Sequence, residues 1–275
     1  MQQILQAVNS CGFTTIQQAE TLVGVACTAQ LSAINPSNFS LRIGEGSTVD
    51  LVLLHGDEAN ASILIHLGRG ATLNLTQFLA GRASIDVVVN QSEGSQSEIV
   101  AASIVQNQAT FNIQLCGINA HSHLSTIQMG ADKDNNALKI NMRHKSPDCT
   151  SRSLSKCVAS GESNLSFDGL VYVAHDAQRT AAEQNCRCIE LSDSAHIAAQ
   201  PQLEIYADNV KCSHGATMGQ VDTDAIFYMR QRGLSESQAR RVQMEGFVLD
   251  IVERCNITEV CEALKECVTE KLEQM

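Results

Sequence analysis

From Leu41 onward the chain is built of short runs that alternate apolar and polar residues with a period of two, broken by Gly, Asn, Asp and Ser. Leu51-Val52-Leu53-Leu54, Ser62-Ile63-Leu64-Ile65-His66-Leu67, Ala71-Thr72-Leu73-Asn74-Leu75, Ser84-Ile85-Asp86-Val87-Val88-Val89 and Thr110-Phe111-Asn112-Ile113-Gln114-Leu115 carry it, and the texture continues through Ala137–His144 and Ser163–Val171 to Val210. These runs recur at roughly 10 to 12 residues, and no 3.6-residue repeat between them suggests a crossover helix. Two architectures meet that constraint: a sandwich of antiparallel hairpins, or a right-handed solenoid whose coils stack into flat parallel sheets. Corners of Asn and Gly around Val, Ile and Leu suit the solenoid, although pattern alone leaves both open. Aromatic residues are only 4% and Trp is absent, so the core must be assembled from many small aliphatic side chains.

The flanks have a different texture. Residues 1 to about 30 are weakly patterned, with short helices expected around Ile4-Leu5-Val8 and Ile16-Ala19-Leu22-Val23, and residues 1–35 read as a lead-in or cap. After Gly219 the pattern becomes helical. Asp222 is placed to cap a helix to about Arg232, with Gly233 stopping it. Ser235 with Gln238 forms a capping-box pattern for a helix carrying Ala239, Val242, Phe247, Val248 and Ile251, and Thr258 is expected to cap a last helix bearing Val260, Leu264, Val268 and Leu272. The division is therefore 1–35, a β core over 36–218, and a helical region over 219–275. Open end coils invite aggregation, so the N-terminal segment and the C-terminal helices are expected to cover them. The helical faces can dock a partner or pack on one another and on the last coil.

Charge and cysteine usage narrow the function. The net charge is −11 and no stretch gathers Lys and Arg on one face, which makes nucleic acid and anionic membrane poor partners. A basic segment followed by an apolar one is missing from the first residues and no apolar run has transmembrane length, so a cytoplasmic protein is expected. Eleven cysteines, odd in number and irregular in spacing, read as reduced thiols, some suited to metal. Gly215-Ala216-Thr217-Met218-Gly219 lacks the lysine of a phosphate loop, and neither a Gly-x-Ser-x-Gly elbow nor a His-Glu-x-x-His helix occurs. No enzymatic activity of its own is expected.

Several groupings bring thiols or imidazoles together. In an extended segment Cys212 and His214 project to one face, giving a two-ligand half-site for zinc, iron or an iron–sulfur cluster that needs ligands from elsewhere or from a second subunit. A half-buried cysteine beside a hydrogen-bonded histidine gives the same spacing. Cys186 and Cys188 place two thiols on one strand face, as soft-metal ligands or as core thiols, with Arg187 opposite. His121 and His123 align on one face that a polar surface also explains, Cys149 and Cys157 have no ligand partner nearby in sequence, and Cys255, Cys261 and Cys267 spread around a helix.

The run Pro201-Gln202-Leu203-Glu204-Ile205-Tyr206-Ala207-Asp208-Asn209-Val210 leads into Lys211-Cys212-Ser213-His214-Gly215-Ala216-Thr217. Phe227-Tyr228-Met229-Arg230-Gln231-Arg232-Gly233 and Glu245-Gly246-Phe247 follow. From about His144 to Phe247 this resembles the SufB/SufD family of iron–sulfur cluster assembly proteins, and the Lys-Cys-Ser-His-Gly-Ala-Thr form resembles its SufD branch. The resemblance implies a mainly β fold, a right-handed parallel β-helix with a C-terminal helical subdomain, in a non-catalytic component of the cytoplasmic SUF machinery. It implies docking of the ABC-type ATPase SufC on the C-terminal helices, with Phe227, Tyr228, Arg232, Gly233 and Phe247 in that region. It further implies end-to-end pairing with SufB or a second copy, Cys212 and His214 lying near the shared interface and His196 in the upstream segment. No permanently bound cofactor is implied, only a transient cluster or iron at that interface. SufB-type sequences carry a Glu-His-Glu pattern and an upstream cysteine. This chain has Cys-Ser-His-Gly and Ser194-Ala195-His196, which argues against scaffolding a cluster independently. SufD-like proteins usually have a longer N-terminal helical region, so the chain reads as a short version. The alternatives are a stand-alone metal carrier using Cys212, His214, Cys186 and Cys188, and a purely structural solenoid dimer.

Overall fold

A computed structural model describes residues 1–16 and 18–275. After a first helix, α1 (Gln2–Ser10), the strands come as β1 (Thr14–Thr15), β2 (Glu20–Val23), β3 (Thr28–Ile34), β4 (Phe39–Ile43), β5 (Thr48–His55), β6 (Ala59–Leu67), β7 (Thr72–Leu79) and β8 (Ala83–Gln91). They continue as β9 (Gln96–Ser103), β10 (Asn107–Leu115), β11 (His121–Gly130), β12 (Asn135–His144), β13 (Thr150–Ala159), β14 (Asn164–Val173), β15 (Ala181–Glu190), β16 (His196–Ile205) and β17 (Lys211–Gly219). Among the described residues the odd strands form one sheet of nine and the even strands one sheet of eight. Every pairing is parallel, for example β5 with β7 and β6 with β8. Hairpins pair antiparallel neighbours, so this pattern excludes the sandwich and leaves a solenoid of two strands per coil.

The sheets enclose one continuous aliphatic core, here called the lumen. Leu51, Leu73, Ile99 and Leu124 enter it from the odd sheet, and Ile63, Val87, Phe111 and Ile140 from the even sheet. The coil lengthens along the chain. Thr48 pairs with Thr72 and Thr72 with Gln96, a step of 24 residues. His121 pairs with Thr150 and Thr150 with Ala181, steps of 29 and 31. Register is held at a corner where one residue per coil takes a left-handed backbone: Ala26, Gly46, Gly70, Gly94, Asn119, Asp148 and Arg179. Their N–H groups donate in sequence to the next coil, as from Gly70 to Glu93 O at 2.8 Å and from Gly94 to Ile118 O at 2.9 Å. Such a conformation costs an ordinary residue about 1 kcal/mol or more, and Gly and Asn fill several of these places for that reason.

Three differences from the sequence-based expectations have physical causes. The stretch Ile16-Ala19-Leu22-Val23 is not helical where it is described: β2 pairs in parallel with β4, Glu20 with Ser40 through Val23 with Ile43. Gln17, within that stretch, lies outside the described residues. The solenoid thus starts at Thr14, inside the segment read as a lead-in. Thr258 is the first residue of its helix and not the cap, a place taken by Ile257 without a side-chain bond. The third difference concerns the helices α2 (Thr223–Gln231), α3 (Glu236–Val252) and α4 (Thr258–Glu273). The helices α1, α3 and α4 pack along the flank of the solenoid and do not cap its ends, and α2 contacts α3.

That placement follows from what the odd sheet presents outward. Val52, Leu54, Phe78, Val100, Ala102, Ile127, Met129 and Val158 form an apolar outer face, and it shares one cluster with Ile4 and Val8 of α1, Val248 and Ile251 of α3, and Val260, Leu264 and Val268 of α4. Lys156 anchors α3 in this layer. Its buried ammonium donates to Phe247 O at 2.5 Å and Asp250 Oδ1 at 2.6 Å, and lies 4.9 Å from the Phe247 ring centre. The expected caps otherwise form: Asp222 Oδ1 accepts from the N–H groups of Asp224 and Ala225, Ser235 and Gln238 make the full capping box, and Gly233 follows α2 at φ +99. No helix is long and apolar enough to cross a membrane among the described residues.

Candidate partner and metal site at the open end of the solenoid

The two ends of the solenoid are unlike. At the N-terminal end it tapers, β1 having two residues and β2 four. At the C-terminal end β16 and β17 keep ten and nine residues and, among the described residues, have no strand beyond them. A long strand edge with unpaired backbone groups is a template for further pairing, and a short one is a common way of avoiding it.

The register defines what β17 offers. Cys212 pairs with Ala182, His214 with Gln184, Ala216 with Cys186 and Met218 with Cys188, all β15 residues whose side chains are buried in the lumen. Cys212, His214, Ala216 and Met218 therefore share one face, directed over the mouth of the last coil. Lys211 N–H donates to Thr180 O, toward β15. By alternation the N–H and C=O groups of Cys212, His214, Ala216 and Met218 point to the free edge. One set of four residues thus supplies both the open backbone edge and the side chains at the mouth. Cys212 is half-buried against the core, and burial pushes its thiol pKa up. His214 is exposed. On the other sheet, His196 N–H donates to Ser163 O and Tyr206 N–H to Val173 O, both toward β14, so Pro201 sits where its missing N–H would have faced the free edge. The unbroken edge is that of β17.

His196 opens β16, the strand that follows β15, whereas Cys212 lies near the start of β17, next to the end of β16. The two are nearly a strand's length apart on different sheets, and the fold does not bring them together. His121 and His123 face outward, with His123 Nδ1 2.7 Å from Glu98 Oε1. The residues expected at a docking surface divide into two groups. Phe227 and Tyr228 on α2 are 62% and 59% exposed, with Arg232 bonded to Tyr228 Oη at 2.8 Å and stacked on its ring. Phe247 packs on the solenoid. Cys255 and Cys267 are buried between helices and sheet, Cys255 Sγ lying 3.1 Å from Thr76 Oγ1.

A grouping that spacing did not reveal lies one coil below the mouth. Cys157 pairs with Cys188, and Ser155 with Cys186, so three thiols from two adjacent strands enter the lumen at one spot. The Cys157, Cys186 and Cys188 sulfurs all lie within 4.8 Å of one another, the only such metal-competent group among the described residues. Hydrogen bonds from Cys157 and Cys186 favour ionised Cys188, whose pKa is lowered to about 4. The bonds to Cys186 and Cys188 push Cys157 up. Cys186, favoured by Cys157 but opposed by Cys188 and by burial, is pushed up as well. Arg187, expected to assist, is on the outer face. Cys157 could have been paired with Cys188 from sequence only by recognising that their separation equals one coil.

This architecture agrees with the comparisons to known proteins. A family model described as SUF system FeS cluster assembly, SufBD core domain, matches residues 24–247, most of the chain. The chain belongs to the SufBD family. Matched relatives include an iron–sulfur cluster assembly SufBD family protein of Synechocystis, 29% identical over 70% of this chain and 46% of its own. SufD of Escherichia coli is 31% identical over 58% of this chain and 37% of its own, and the chloroplastic protein ABCI7 of Arabidopsis thaliana 32% over 60% and 36%. The matches thus span less than half the length of these relatives. Residues 24–247 run from just after β2 to Phe247 in α3, so the SufBD core comprises almost the whole solenoid, its open end, α2 and most of α3.

Proposed function

We propose that this SufBD-family protein acts as a SufD-like, non-catalytic component of iron–sulfur cluster assembly. In this reading β17 pairs with a like β-helix, a SufB-type partner or a second copy, and α2 docks a SufC-type ABC ATPase. The observation that carries it is the full-length free edge of β17, whose unpaired backbone groups belong to the same residues that set Cys212 and His214 over the mouth. Continued across a second chain, that edge buries both side chains at a shared interface, where a thiolate and an imidazole supply half of a tetrahedral site and the partner the remainder. Iron or a nascent cluster would be cargo at this place. The exposed Phe227 and Tyr228 support α2 as the docking element, since aromatic anchors are where interface energy concentrates.

The test is anaerobic co-purification with the ABC-type ATPase and the SufB-type protein of the same organism, reading ATP turnover and bound iron on one sample. A stable complex with stimulated turnover, and iron retained in the complex but lost with Cys212→Ser and His214→Ala, is the expected result. Failure of the complex to form would count against the assignment, as would iron retention indifferent to both substitutions.

A further inference from the structure

The buried thiols have no part in the edge pairing just described. They face the lumen, and the free edge belongs to the next strand. Side chains two residues apart on a strand start about 7 Å apart. The Cys186 and Cys188 sulfurs are nevertheless 3.6 Å apart, so both side chains have turned toward each other and toward Cys157. Three small apolar residues would fill the same volume without converging. Gln128, which stacks on Cys157 in the neighbouring strand, adds a second observation: its Oε1 is 3.5 Å from Cys157 Sγ, while its buried Nε2 has no hydrogen-bond partner. Turned about its own axis, that amide donates an N–H to Cys157, a bond a thiolate accepts far better than a thiol does.

We infer that Cys157, Cys186 and Cys188 form a three-thiolate site for one soft, thiophilic metal ion inside the solenoid. Thiolate sulfur selects soft ions, and no His or carboxylate joins the group among the described residues to complete a tetrahedral set. The site is therefore three-coordinate and suited to a d10 ion of the Cu(I) type. Binding displaces the thiol protons to solvent, and the ion's charge offsets part of the negative charge gathered in an aliphatic surround. Entry is from the open end, where Ala216 and Met218 of the last strand pair with Cys186 and Cys188, and Met218 is 53% exposed.

The experiment is an anaerobic titration of the reduced full chain with Cu(I) against a chromophoric Cu(I) chelator, in a background with the exposed Cys27 and Cys116, and Cys212 at the mouth, replaced by Ser. One tightly held equivalent is expected, with thiolate-to-metal absorption, weakened on the order of 100-fold or more by each of Cys157→Ser, Cys186→Ser and Cys188→Ser, since losing even an outer partner of a metal ligand costs 10- to 100-fold. Cys→Ala variants at the same positions, which bury no hydroxyl, keep the test valid if a Ser variant misfolds, with circular dichroism confirming the strands. Undiminished binding in the folded single variants would overturn the site. So would a preference for Zn(II) over Cu(I) at one equivalent, which demands a fourth ligand. A Cys186–Cys188 disulfide in the chain isolated anaerobically would overturn it too. The co-purification test reads a different region, so either proposal can fail alone.

Discussion

Two glycines separate the conformational from the steric reasons for a small residue in a coiled chain. Gly70 has φ +61 with nothing within 4 Å of an added Cβ, so Gly70→Ala should cost about 1 kcal/mol, the left-handed penalty alone. At Gly117 an added Cβ would lie 2.0 Å from Glu93 N, backbone that must move, so Gly117→Ala should cost clearly more. Urea unfolding midpoints of the two variants check the order, and equal costs would refute the stacked-corner account. A second effect at this scale is pH dependence. His55 and His144 are buried in the lumen, and burial lowers each pKa to about 4. Between pH 6.5 and about 4 the unfolded chain binds these protons and the native one does not, so stability falls as pH drops. The loss should reach about 2 kcal/mol per histidine at pH 5. The midpoint should therefore drop between pH 7 and 5, and less steeply in a His55→Gln/His144→Gln variant.

Among the elements, the helices divide into one that offers a surface, α2, and three that are committed to the solenoid, α1, α3 and α4. Phe227→Ala with Tyr228→Ala on α2 should weaken binding of the ABC-type ATPase while leaving thermal stability nearly unchanged, because both rings are mostly exposed. Phe247→Ala on α3 should instead lower stability, since that ring packs on the sheet beside the buried Lys156 ammonium. Asp250→Ala, which leaves that ammonium one partner fewer, should cost about 1–2 kcal/mol, given the partial exposure of Asp250. Lys156→Met, removing the buried charge itself and keeping the packing, should be the milder change. Thermal melts read beside binding assays distinguish the four variants; a reversed order for Asp250→Ala and Lys156→Met would contradict the anchoring role of this pair.

For the whole molecule, what sequence made legible was local and what it hid was a matter of coil register. Alternation located β6, β8 and β10 because each has one face in the lumen, and the caps Asp222 and Ser235 were readable because a cap is a contact between near neighbours in the chain. The outer apolar face of Val52, Phe78, Val100 and Ile127 was not separable from the inner one in a strand buried on both sides, so the lateral docking of α3 and α4 was missed. Cys157 was likewise invisible as a partner of Cys188, 31 residues away, until the coil length was known. Cys212 and His214 do share a face, as their spacing implied, whereas His196 lies away from them. The central claim is that β17 is built to be continued by another β-helix. Its most direct test is native mass spectrometry of the chain, alone and with a SufB-type partner, for the wild type and Ala216→Pro, which removes one N–H from the free edge and none from the ladder to β15. The account predicts a two-chain complex for the wild type and single chains for the variant, with strand content unchanged. The same mass for both, or a wild type that stays single even with the partner at tens of micromolar, would contradict it.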